Sequence, residues 1–320
     1  MKNEKTLIPI FYACDDNFIK FTVVSIKSLI ENADANNNYI IYILNAGISE
    51  QMKKEVYKLE KENCKIEFIN VQNQLNKISK DLPLRDYYSK TTYFRMFIAD
   101  MYPEYDKAVY IDSDTVILGD VSKLYAHDLG DNYVGACHEQ AMVQTEVFGN
   151  YVEKVMGISR NEYFNAGILL INCNLFRKNR LLEKFIELLG IYTFVVTQDQ
   201  DYLNVLCHGK VLWLEQGWNT EVYGDISVKE SDMHIVHYIM VSKPWHYSDC
   251  RLKEYFWEYS KKTDVYQSIL DESNSYIDEQ RQRDFLGVEK LALTAAEESL
   301  RIDTYINLIS KKKALRGLKF

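Results

Sequence analysis

Two aspartates one residue apart, Asp112 and Asp114, follow directly on the apolar run Ala108-Val109-Tyr110-Ile111. On an extended strand such a pair points to one side of the backbone. If the second lies in the turn beyond the strand, both can converge on one cation. Carboxylate oxygens suit a hard divalent ion such as Mn²⁺ or Mg²⁺, which also accepts diphosphate oxygens. A lone Asp-x-Asp usually marks only a solvated turn. Its place after a strand in a β-α-β series gives it weight, because ligands of open α/β sheets sit beyond the carboxyl ends of the strands. His237 ends another apolar run and is followed by Lys243-Pro244-Trp245. A lone histidine on an apolar strand is more often a core residue, but an imidazole ligand with a lysine nearby suits a metal-bound diphosphate. Asn165-Ala166-Gly167 supplies small residues that let a ligand approach the backbone. Gln198-Asp199-Gln200-Asp201 sets amides beside carboxylates, able to donate to and accept from sugar hydroxyls, although it also reads as an ordinary acidic helix start.

The elements that must position these residues alternate through the first half. Residues 7–13 and 39–44 are near-continuous apolar runs and 64–71 is strand-like, while 18–30 and 50–59 carry apolar residues at helical spacing. That pattern predicts a mostly parallel α/β sheet covered on both faces. A helix is predicted over 91–101, stopping before Pro103, and then a central strand over 108–111. The second half predicts strands at 164–171, 211–214 and 235–238 and helices at 175–189 and 199–207. Residues 1–250 therefore read as one catalytic domain, and the charged, helix-favouring sequence 251–320 as a C-terminal helical region. No linker or internal repeat separates them.

Composition narrows the function classes. The 320-residue chain is 47% hydrophobic and carries a formal net charge of -8, which argues against nucleic acid as a ligand. No apolar run reaches ~18 residues, so no membrane-spanning helix is expected. Met1 to Lys5 runs into the first strand without a secretory apolar region, which predicts a cytoplasmic protein. The six cysteines, at 14, 64, 137, 173, 207 and 250, form no C-x-x-C and read as reduced, mostly buried thiols. A dinucleotide oxidoreductase would share the alternation, but no G-x-G-x-x-G or P-loop follows any candidate strand.

Seven blocks, in order, closely resemble the retaining glycosyltransferases of family 8, the group of bacterial lipooligosaccharide galactosyltransferases and glycogenin. They are Tyr12-Ala13-Cys14-Asp15-Asp16-Asn17, Thr91-Thr92-Tyr93-Phe94-Arg95, Tyr110-Ile111-Asp112-Ser113-Asp114 and Asp131-Asn132-Tyr133-Val134-Gly135-Ala136, then Phe164-Asn165-Ala166-Gly167, Asp199-Gln200-Asp201 and His237…Lys243-Pro244-Trp245. The resemblance implies a GT-A fold and a UDP-sugar donor, with Mn²⁺ (or Mg²⁺) on Asp112, Asp114 and His237. It implies that Ala13, Asp15 and Asn17 meet the uridine and Lys243 the diphosphate. Arg95, Asn165, Ala166, Asp199 and Gln200 would meet the donor sugar, with Asp199 and Gln200 as the catalytic pair and Gln200 on the face of the anomeric carbon opposite the leaving group. Glu139 falls where relatives carry an acid on the acceptor side. The implied substrates are a UDP-hexose and a saccharide, lipid-linked or protein acceptor. One position departs: Met240 stands where the family motif has glycine, which motivates the alternative of a donor-impaired, sugar- or partner-binding relative.

The tail adds a further expectation. Lys311, Lys312, Lys313, Arg316 and Lys319 follow Ile302, Tyr305, Ile306 and Ile309, which recur at helical spacing, and Leu315, Leu318 and Phe320 add apolar bulk. A basic amphipathic segment of this kind predicts peripheral attachment to an anionic membrane surface at its inner face.

Overall fold

The computed structural model describes residues 5–74 and 90–317. β1 (Leu7–Ala13), β2 (Asn38–Asn45) and β3 (Cys64–Asn70) alternate with helices Ile19–Asn32 and Glu50–Tyr57. β1 pairs with β2 in parallel register from Leu7↔Asn38 to Ala13↔Leu44, and β2 with β3 likewise. With β4 (Lys107–Ile111), β6 (Val134–Ala136), β7 (Ile168–Asn172) and β8 (Val211–Trp213) they form a seven-stranded sheet, ordered β3-β2-β1-β4-β7-β6-β8. Adjacent residues on each strand serve opposite faces. Phe11, Tyr42, Tyr110 and Leu169 pack with Phe94, Phe185 and Tyr202 on one side. Ile10, Ile41, Val109 and Leu170 pack with Val24, Val236 and Trp245 on the other. Burial on both faces explains why these strands are apolar throughout. Strand order reverses between β1 and β4, the kind of switch point that opens a crevice at the strand carboxyl ends.

The structure corrects several sequence expectations. Residues 90–97 form a 3-10 helix, Lys90–Phe97, followed by a single α-helical turn, Ile98–Met101. The strand expected from residue 164 starts only at Ile168. Before it, Gly167 N–H donates to Asn165 Oδ1 and curls the backbone out of the ladder. The helix expected over 175–189 is two, Cys173–Lys178 and Leu181–Leu189, broken where Arg180 takes φ +54°. The sheet is also less uniformly parallel than the β-α-β reading suggests: β7 runs antiparallel to both β4 and β6. A second, three-stranded sheet orders β5 (Thr115–Ile117), β10 (Ile235–His237) and β9 (Thr220–Glu221) as β5-β10-β9.

All six cysteines are buried and unpaired. Among the described residues no helix is long and apolar enough to cross a membrane. The C-terminal region is helical, with Lys253–Ser260, Tyr266–Ser275, Asp278–Ser299 and Tyr305–Gly317. The last helix spends much of the expected amphipathic stripe on the protein itself. Tyr305 packs on Tyr192 and Phe194, and Ile306 lies where a side chain at Gly157 would collide with it. Ile302 remains exposed. Leu318, Lys319, Phe320 and the side chains of 312–317 lie outside the described residues.

Candidate active site

Register brings the distant candidates together. Asp112 directly follows β4, and its N–H donates to Gly167 O, just before β7, at 2.7 Å, extending the antiparallel β4–β7 pair. His237 arrives on β10, paired with Thr115, so that Tyr238 N–H donates to Asp114 O. Ser113, between the two aspartates, points the other way, as strand alternation requires. Its hydroxyl donates to Ala13 O at the end of β1 and accepts from Thr22, tying the Ala13–Asn17 segment to the aspartate turn.

Ligand atoms of Asp112, Asp114 and His237 all lie within 4.8 Å of one another. His237 Nε2 stands 3.2 Å from Asp114 Oδ1 and 3.9 Å from Asp112 Oδ2. The other oxygen of each carboxylate is already engaged. Asp112 Oδ1 accepts from Tyr110 at 2.7 Å and from Arg95 at 3.2 Å, and Asp114 Oδ2 accepts from Lys243. Burial opposes ionisation of Asp114, but Lys243 and His237 outweigh it and hold its carboxyl well below the usual range. The Asn219 side-chain oxygen, 3.0 Å from His237 Nδ1, accepts from Nδ1–H and so turns Nε2 to the carboxylates, where it would offer its lone pair to a bound cation. Asn219 in turn donates to Asn165. A β-carbon at residue 167 would sit 2.3 Å from the His237 ring and 2.7 Å from Asp112, so glycine there leaves space for the cluster. Two hard oxygens, an oriented imidazole nitrogen and this clearance fit a divalent cation.

A second polar layer adjoins the first. The buried Arg95 guanidinium donates to Ala166 O and lies over the Tyr110 ring at 4.4 Å. Its Nε lies 2.9 Å from Asp199 Oδ2, but the N–H is aimed at Thr92 O, so that oxygen accepts no hydrogen bond. Burial, opposed by Arg95 and reinforced by Asp112, pushes the Asp199 carboxyl up to about 6. Gln200 accepts from Ala166 N–H at 2.8 Å and donates to Glu139 at 3.0 Å. Glu139 is buried, accepts from Asn165 and caps helix Gln140–Gln144. It therefore supports Asn165 and Gln200 from beneath. Gln198, just before the helix Asp199–Cys207 that carries Asp199 and Gln200, adopts φ +53°.

The nucleotide-side candidates are more open. Asp15 accepts from the N–H groups of Asn17 and Phe18 at 3.0 Å each, and Asn17 is exposed. Asp201 belongs elsewhere: it accepts from Tyr151, Tyr163 and Thr197 N–H and fixes its own helix. Met240 adopts φ +53°, so the backbone keeps a left-handed conformation while carrying a methionine. Sequence reasoning missed three groups. Tyr110 was findable, since it lies two residues before Asp112 on the same strand face. Asn219 had no sequence signal. Neither had Glu221, whose carboxyl burial and the neighbouring Glu139 push well above the usual range.

A family model described as glycosyl transferase family 8 matches residues 9–249. A glycosyltransferase from Haemophilus influenzae is 32% identical over 248 residues, 74% of this chain and 72% of its own length. Lipopolysaccharide glucosyltransferase WaaO from Escherichia coli K12 is 27% identical over 86% of this chain and 80% of its own. Glycosyltransferase GlyE from Streptococcus pneumoniae is 31% identical over 81% of this chain, which spans only 62% of GlyE. Among solved structures, galactosyltransferase LgtC in complex with donor and acceptor sugar analogs superposes with TM-score 0.66 at 26% identity, covering 82% of this chain and all of that one.

Proposed function

This chain belongs to glycosyltransferase family 8, and we propose that it is a retaining hexosyltransferase moving glucose or galactose from a UDP-sugar to a saccharide, lipid-linked or protein acceptor. The observation that carries the reading is the cluster of Asp112 Oδ2, Asp114 Oδ1 and His237 Nε2, each aimed inward by a partner on its far side. These three would hold Mn²⁺ or Mg²⁺, which supplies neutralisation of the diphosphate as charge develops on it. Lys243 adds a cation on the same side. Ala13, Asp15 and Asn17 receive the uridine. Arg95, Asn165, Ala166, Asp199 and Gln200 orient the hexose. The choice of hexose follows relatives named as a lipopolysaccharide glucosyltransferase and a lipopolysaccharide 1,3-galactosyltransferase.

Retention through a covalent intermediate requires a carboxylate beside the anomeric carbon. The matched position is Gln200, an amide held at both ends by Ala166 and Glu139. We therefore favour front-face attack: the bond from the anomeric carbon to the UDP oxygen breaks with its electron pair. The acceptor oxygen bonds on the same face and gives its proton to the departing phosphate. Transfer and UDP-sugar hydrolysis measured with and without Mn²⁺ test the reading. Failure to turn over any common UDP-hexose would favour the donor-impaired binding protein that Met240 suggests. Trapping a glycosyl adduct on a side chain would overturn the front-face step.

A further inference from the structure

The residues joining His237 to Lys243 form one wall of a neighbouring cavity of about 560 Å³. Its opposite wall is the helix Asp278–Ser299, which lies beyond the span matched by the family model. Arg281, Phe285 and Val288 stand at i, i+4 and i+7, one face of that helix, and all three line the cavity. The helix is fixed in this orientation by Asp284, buried between them in sequence, which accepts from the Tyr247 and Tyr276 hydroxyls at 2.9 and 2.6 Å. Arg251 lines the cavity from the loop and donates to Gly224 O at 2.6 Å. Two arginines thus line a space that has one carboxylate, Asp249, in its lining, within a chain of net charge -8. Arg281 has an exposed partner in Asp278 at 3.4 Å, a long contact between solvated groups that leaves the guanidinium able to turn inward. Met240, Phe285 and Val288 add apolar surface to the lining.

We propose that this cavity is an acceptor subsite for an anionic saccharide, with Arg251 and Arg281 binding a phosphate or carboxylate and the Met240–Phe285 side covering the apolar part of the sugar or its aglycone. The proposal rests on the transferase reading above and names the acceptor class for it. Planar guanidinium groups match the geometry of both anions, whereas a neutral hexose offers neither arginine a charged partner. Because Met240 lies between His237 and Lys243 in sequence, an acceptor held here lies beside the donor diphosphate.

The test uses the full chain saturated with UDP and Mn²⁺, so that the donor site is filled, and titrates four probes by calorimetry: glucose 1-phosphate, glucuronate, methyl glucoside and inorganic phosphate. Glucose 1-phosphate or glucuronate should bind at least about tenfold more tightly than methyl glucoside, since a hydrogen bond to a charged group is worth that much. Which of the two wins identifies the anion. R281Q should remove that preference while leaving the melting temperature and UDP binding unchanged, and R251Q should do the same for the anion. F285A should weaken charged and neutral sugars alike. Equal affinity for methyl glucoside, or an unaltered preference in R281Q, overturns the proposal. So does inorganic phosphate binding as tightly as either sugar, because the cavity would then be an anion site without saccharide recognition. Failure of UDP and Mn²⁺ to bind at all would instead count against the transferase reading, and is seen in the same titrations before any probe is added.

Discussion

The metal-ligand cluster and the cavity beside it are joined by one short loop, yet they are built by different means. In the cluster, strand register sets each group. Asp112 is held through β4–β7, His237 through β10–β5, and every ligand side chain has a second partner within the sheet region. The cavity has no strand of the main sheet in its lining. Its walls are a loop that includes the left-handed Met240 and a helix whose Phe285 is 65% exposed. The difference teaches where chemistry and selectivity are separable in this fold. In the proposed reading, the groups that stabilise the leaving group are fixed at or next to strand ends, whereas the groups that would choose an acceptor sit on added elements that can change without disturbing them.

The largest effect that would test this contrast is at Asp114. Asp114→Ala removes one inward oxygen and the partner of Lys243, so transfer should fall by a hundredfold or more, about 3–4 kcal/mol. Thermal stabilisation by Mn²⁺ with UDP should vanish while the apo protein still unfolds cooperatively. Unchanged metal-dependent turnover would mean the chemistry lies elsewhere. A smaller loss is expected at Asn219, which touches no proposed ligand atom. Asn219→Ala frees the His237 ring and withdraws a donor from Asn165, and loss of such an orienting partner typically weakens metal binding by about 10–100-fold. Mn²⁺ titration followed by the thermal shift measures it. A variant that binds metal as the parent does would show that strand pairing alone orients His237.

The same contrast explains what the sequence made legible. The β-α-β half could be read because β1 and β2 are buried on both faces and their apolar runs are local. The aspartate pair, Asn165-Ala166-Gly167 and the histidine-lysine block could be read because strand ends and tight turns restrict residue type. Asn219 and Glu221 act through contacts with residues 18 to 81 positions away in sequence, which no local pattern reveals, whereas alternation could have revealed the Tyr110 hydroxyl. The antiparallel insertion of β7 was hidden because its apolar pattern is that of any buried strand. The tail is ambiguous for a related reason. A helical stripe of Ile302, Tyr305 and Ile306 looks alike whether it meets lipid or the protein's own surface, and two of its members meet the protein.

Asp199 offers a test that works without substrate. Aspartate in an unfolded chain titrates near 3.9, whereas the folded carboxyl is pushed up to about 6. Between those values the folded protein holds more of the proton. The contribution of Asp199 to stability is therefore whole below about pH 4 and lost as pH rises through 6, by up to about 1.4 kcal/mol per pH unit. Asp199→Asn cannot titrate there. Denaturant unfolding in metal-free buffer should give a stability difference, parent minus variant, that falls from pH 4 to 6 and is level above. A difference that rises over the same window would mean that Arg95 keeps the carboxylate ionised against its burial.

The smallest expected effect is at Met240, where the cluster and the cavity meet. A non-glycine residue at φ +53° carries a strain of about 1–2 kcal/mol. Met240→Gly removes that strain, but glycine gives the unfolded chain about 0.5–1 kcal/mol of extra conformational freedom. It also withdraws a half-buried side chain from the hydrophobic cluster it packs against. These terms oppose one another, so stability should change by less than about 1 kcal/mol, a shift of roughly 2–4 °C or less for a chain of this size. The kinetic split is more informative than the melting temperature. If methionine shapes only the cavity, KM for UDP-hexose should stay constant while selectivity among acceptors broadens. If KM for UDP-hexose instead falls about tenfold, the glycine has let the main chain reach the diphosphate. Met240 would then be a brake on donor binding, and the separation between fixed chemistry and adjustable selectivity would fail at that one residue.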